Sequence, residues 1–135
     1  MSTGYWDPNS KQSDSANAID AALLQRLLAL GEAENIGDLA TQMSAQDQHQ
    51  SAIMHADHSQ WQAALADYDE QQLIALIRFF TVVESQLSDW VGGGHSPVIS
   101  IHRILKQRGG QLGREMLLWI KQNSSNRFLP NGAVL

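Results

Sequence analysis

The chain has 135 residues, enough for one hydrophobic core and too few for two of ordinary size. Hydrophobic residues make up 43% and charged residues 17%, a balance that excludes disorder throughout, and the absence of cysteine excludes disulfides, thiolate metal sites and cysteine nucleophiles together. The net charge of −5 is unevenly placed: residues 1–90 hold three basic and thirteen acidic side chains and residues 91–135 six basic and one acidic, so the two parts carry −10 and +5.

From Met1 to Asp14 the residues are mostly Ser, Asn, Asp and Gly without helical or strand periodicity, which predicts a disordered tail over 1–14 ahead of a single helical domain over 15–135. The start lacks the basic and apolar regions of a secretory signal, so a cytoplasmic location is expected. Tyr5 and Trp6 are the aromatic exceptions in the tail and read as a short segment that folds onto a partner. Asn17 is placed to cap a first helix with Ile19, Leu23, Leu27 and Leu30 near one face, and Gly31 is placed to end it.

A second helix is expected from near Asn35, on Ile36, Leu39, Ala40 and Met43, but the following TQMSAQDQHQS offers little to bury. Trp61, Leu65 and Tyr68 mark a short amphipathic helix capped by Asp57 or Ser59. Asp69 and Gln72 have the spacing of a capping box and open the most apolar helix of the chain. Its stripe is Leu73, Leu76, Ile77, Phe80, Val83 and Leu87, and Ile74, Phe79 and Val82 extend the apolar surface around it, which predicts a central, buried helix. The stretch Leu73–Val83 is interrupted by Arg78 and Thr81 and falls short of the roughly 20 residues a membrane span requires.

Three glycines at 92–94 break the chain over 91–95, dividing the acidic part 15–90 from the basic part 96–135. Ser96-Pro97 then predicts an N-cap followed by proline in the first turn, Val98, Ile101, Ile104 and Leu105 a buried stripe, and Gly109-Gly110 a stop. A last helix is expected over about 111–122, with Leu112, Met116, Trp119 and Ile120 as its apolar positions. The stretch 123–132 is turn-forming at both ends with an apolar centre, which predicts an arm docked back on the domain; a strand is conceivable only over 127–135. The fold class expected is an all-α compact bundle of about five helices with a disordered N-terminal tail and a C-terminal docking arm.

Three functional readings follow. A helical module that binds another protein, or a second copy of this chain, without enzymatic activity ranks first, because no nucleophile elbow, phosphate loop or paired carboxylate appears. No cofactor is expected. The second reading is nucleic-acid binding by a helix-turn-helix-like pair over 97–122 joined by about three residues, with Arg103, Lys106, Arg108, Gln111, Arg114 and Lys121 as contacts. Against it stands the alternative that the basic helices are neutralised by the acidic ones. The third is a histidine-based metal or enzyme site using His49, His55, His58 or His95; only His55 and His58 have a spacing that places them on one helix face. Backbone N–H groups at 96–99, beside His95 and Ser96, make a weak anion-binding candidate. Glu84 and Arg78 are the ionisable residues out of place on the central helix; Glu84 is expected to find an internal partner.

Overall fold

A computed structural model describes residues 19–124, 126 and 129; the tail over 1–14, Asn17 and most of 127–135 lie outside the described residues. Among the described residues the fold is all-helical. Its elements are α1 (Ala21–Glu32), α2 (Leu39–Gln42), α3 (Ala45–Gln48), α4 (His58–Ala64), α5 (Glu70–Gln86), α6 (Pro97–Gln107) and α7 (Arg114–Asn123). Two 3-10 turns, Ser51–His55 and Gly93–His95, complete the described secondary structure. The five larger helices are those expected from periodicity; the helix expected from near Asn35 is reduced to the single turn α2, and α3 is a further single turn in the polar stretch after it. No helix among the described residues is long and apolar enough to cross a membrane.

The central position of α5 follows from its composition: Leu73, Leu76, Ile77, Phe79, Phe80, Thr81 and Val83 have no exposed surface. Helices α1, α2, α6 and α7 pack on α5, and α4 packs on α6. Through the middle of the core runs a chain of edge-to-face aromatic contacts. Trp61 meets Phe80 at 5.5 Å, Phe80 meets Phe79 at 5.1 Å and Phe79 meets Trp90 at 6.1 Å between ring centroids. This geometry places the positive edge of one ring on the negative face of the next.

Side chains that compete with the backbone in a helix interior satisfy free N–H groups at its start, and α1, α4, α5 and α6 begin on this principle, whereas α7 follows Gly113 with no side-chain cap. Asp20, not Asn17, caps α1, accepting from the Ala22 and Leu23 amides, because the helix begins at Ala21. Asp57 with Gln60, and Asp69 with Gln72, form complete capping boxes at α4 and α5. Ser96 caps α6 ahead of Pro97. The stop at its far end is a Schellman arrangement: Gly110 N donates to Leu105 O, Gly109 N donates to Lys106 O, and Gly109 takes φ +85°.

Gly31 is expected to terminate α1 but lies inside it, and its role is one of contact. A Cβ at this position would sit 2.0 Å from the Ala75 carbonyl oxygen and 3.2 Å from the Phe79 Cβ, so α1 and α5 touch here backbone to backbone. Arg78 reaches from α5 to the end of α1, where its guanidinium donates to the carbonyls of Gly31 at 2.8 Å and Glu34 at 2.9 Å. The Gly31 carbonyl is one of those that the helix end leaves unpaired, and Glu34 lies just beyond the cap. The same guanidinium lies 5.7 Å from the centre of the Trp119 ring on α7.

The polar stretch after Met43 is ordered by side-chain bonds to backbone. Gln48 donates to the carbonyls of Ala40 and Met43, and Gln48's own carbonyl accepts the Trp90 indole N–H at 3.0 Å. Asp47, with 7% of its surface exposed, receives two Arg26 guanidinium nitrogens at 2.9 Å each. Gln86 brackets the start of α2, accepting from Leu39 N and donating to Gly37 O. The expected C-terminal arm is seen at two described positions: Leu129 is buried in the core, and Asn126 is bonded to the glycine-rich turn.

Gly31→Ala is expected to cost about 2–3 kcal/mol in denaturant unfolding, since the added methyl meets main chain and not a flexible side-chain end. Phe80→Ala is expected to cost about 3–5 kcal/mol in the same assay, while a change at exposed Gln71 stays within about 0.5 kcal/mol.

Candidate functional site

Glu84 lies near the C-terminal end of α5, facing the glycine-rich connection to α6. Its carboxylate accepts from Gly92 N at 2.8 Å and Gly93 N at 3.2 Å, and from Asn126 Nδ2 at 3.2 Å to each oxygen. Asn126 Nδ2 also donates to Gly93 O at 2.9 Å. The carboxylate thus fills the concave amide cluster that successive N–H groups create, the arrangement that elsewhere takes an external anion. Gly92 is required sterically, because a Cβ there would lie 2.6 Å from the Ser96 Cα.

This arrangement corrects the anion-binding expectation for His95 and Ser96. Ser96 N donates to Gly93 O, Val98 N to the Ser96 hydroxyl and Ile99 N to Ser96 O, while residue 97 is proline and has no N–H. Every donor at 96–99 is therefore engaged within the fold. His95 is exposed at the end of the 3-10 turn, and Ser96 is fully buried as a helix cap.

The basic part is distributed differently from the helix pair expected. The connection spans residues 108–113 rather than about three, because α7 begins at Arg114 and not at Gln111. Both α6 and α7 pack on α5, a closer association than they make with each other. The compact turn of a helix-turn-helix is therefore not formed. Arg108 is committed to the fold: it donates to Leu65 O at 2.8 Å and to Tyr68 O, closing the C-terminal end of α4. Arg103, Lys106, Arg114 and Lys121 are exposed, as is Gln111 in the connection.

Among the described residues one ion pair is formed, Arg26 with Asp47, and both partners belong to the acidic part. Direct pairing of the basic helices with the acidic ones is thus absent from the described residues. The basic face that results is densest on α6. There Ile99, His102, Arg103, Lys106 and Gln107 line an open groove of about 400 Å3, with Gln107 held by a 3.5 Å contact from Gln62 of α4.

His49, His55 and His58 are not gathered into a ligand set, and no three His, Asp or Glu side chains among the described residues are placed to hold a metal ion. His55 is exposed in a 3-10 turn while His58 opens α4, so the shared helix face assumed for them does not exist. His58 has both ring nitrogens shielded from water without a hydrogen-bond partner, as is the indole nitrogen of Trp61 one turn on. Burial pushes the His58 ring below its ordinary titration range, with Arg103 across the interface adding to the effect and Asp57 opposing it. Burial likewise lowers His102, helped by Lys106. Neither lowered histidine is distinguishable from the other three by spacing, since the leading cause in each is burial, of His58 on α4 and of His102 on α6.

Two consequences are measurable. Glu84→Ala leaves the Gly92 and Gly93 amides without their acceptor, so unfolding free energy is expected to fall by about 1–3 kcal/mol and amide exchange at both glycines to accelerate. For the histidines, the folded state favours the neutral ring, so the unfolded chain binds protons first as pH drops below 6.5, the ordinary value. Their contribution is then constant well above that pH and falls as the pH drops through 6.5. His58→Phe, which removes both unbonded nitrogens at similar volume, is expected to flatten this decline in thermal unfolding; an unchanged slope would show that His58 is hydrated and titrates freely.

No protein-family model, curated protein or solved structure matches the chain, so its own geometry carries the functional reading.

Proposed function

We propose that the protein is a non-enzymatic helical module that binds another protein through the outer face of α7. The observation that carries this reading is the incomplete burial of that helix. Of the residues REMLLWIKQN only Ile120 is buried, Met116, Leu117 and Trp119 are half-covered, and Leu118 retains 45% of its surface. Leu118 and Val91, the latter 52% exposed, are the exposed large apolar side chains among the described residues. A single exposed leucine is ordinary; around Leu118, Met116, Leu117 and Trp119 also keep part of their surface while packing on the core, which suits a contact completed by a partner.

The test combines sedimentation equilibrium of the purified chain with crosslinked affinity capture, each on the unaltered protein and on Leu118→Glu. The side chain is nearly half exposed, so the variant is expected to keep its thermal midpoint while losing the self-association or the specific partner shown by the unaltered chain. Equal mass distributions and equal capture for the two proteins would sink the reading.

A further inference from the structure

We propose that the outer face of α6 is a binding surface for the phosphate backbone of a nucleic acid, with Arg103 and Lys106 as its principal contacts and His102 and Gln107 beside them. The proposal rests on a different face from α7 and stands or falls independently of it.

Four observations carry it. The groove of about 400 Å3 is lined by Ile99, His102, Arg103, Lys106 and Gln107, which recur on one side of α6 with helical spacing. Arg103 and Lys106 are exposed and make no hydrogen bond or ion pair among the described residues, so a ligand would displace no internal partner. The neighbouring cation Arg108 is committed to the carbonyls of Leu65 and Tyr68, and Asp57, at the start of α4, has its carboxylate engaged by Gln60 N and the Ser59 hydroxyl. Finally, Gln62 of α4 lies 3.5 Å from Gln107, so the α4 side of the groove is polar.

The chemistry favours phosphate. Arg103 offers a planar fork of donors suited to two phosphate oxygens, and Lys106 a compact point charge one turn away. From Arg103 to Lys106 the helix rises about 4.5 Å, so the two cations lie on one turn and can meet the same stretch of a phosphate backbone. An open groove follows a backbone, whereas an enclosed one would select a small molecule.

The experiment is fluorescence anisotropy of labelled single-stranded and duplex oligonucleotides with the full chain at about 50 and 200 mM salt. Contact with two or three phosphates predicts binding that weakens about 10- to 40-fold between those salts. Arg103→Glu with Lys106→Glu is expected to remove binding while leaving the thermal midpoint unchanged, and Lys121→Glu on α7 to have little effect; should the charge reversal disturb folding, the Arg103→Gln, Lys106→Gln protein gives the same readout. Leu118→Glu should bind oligonucleotide as the unaltered chain does. The proposal is overturned by no binding at 50 mM salt, by binding that survives neutralisation of both cations, by loss on Lys121→Glu as large as on the α6 pair, or by equally tight binding of a poly-glutamate chain of equal charge.

Discussion

Arg78 holds the position on which the rest of the architecture depends. Its side chain leaves the central helix α5, closes the end of α1 through the carbonyls of Gly31 and Glu34, and lies against Trp119 of α7. That reach is possible only because α1 and α5 approach backbone to backbone at Gly31 and Ala75. The close approach provides dispersion contacts over both helices, and the guanidinium satisfies the Gly31 carbonyl at the half-buried end of α1 and the exposed Glu34 carbonyl beyond it. An arginine that looks misplaced in an apolar helix is thus the element that sets where α1 ends and where α7 lies.

The same division of labour recurs around the domain. Glu84 fills the amides of the glycine-rich turn, Gln86 brackets the start of α2, Gln48 and Trp90 pin α3, and Arg108 closes α4. Short helices and irregular connections expose many backbone groups for their length, and buried groups of this kind have to be paired. Glu84 and Gln86 of α5, Trp90 after it and Arg108 at the end of α6 provide that pairing, most of it across long stretches of sequence. Several residues whose type suggested chemistry are therefore structural, and this explains why the anion-binding expectation at His95 and Ser96 fails.

What remains after these residues are assigned is a small outward-facing set. Arg103 and Lys106 project from α6 without ion pairs among the described residues, and Leu118 projects from α7 beside half-covered apolar neighbours. The two surfaces differ in physical character, one answering to charge and the other to apolar area, so they respond to different perturbations. The acidic and basic parts of the chain are segregated by position and are not joined by direct ion pairs within the described fold.

The sequence by itself determined the helical class, the central place of Leu73–Leu87, the capping box at Asp69, the cap at Asp57 or Ser59, the Ser96-Pro97 start and the Gly109-Gly110 stop. These features arise from contacts within about four residues, where backbone geometry and side-chain type suffice. It also showed the basic character of the last third. Only the tertiary structure decided that Gly31 is a contact and not a terminus, that Arg78, Glu84 and Arg108 are backbone partners, and that His58 and His102 are the histidines whose titration is shifted. It also decided that the 108–113 connection is too long for a compact helix pair. Each of those outcomes depends on groups brought together from more than one element, and no local pattern encodes which carbonyl, amide or ring a long side chain will meet.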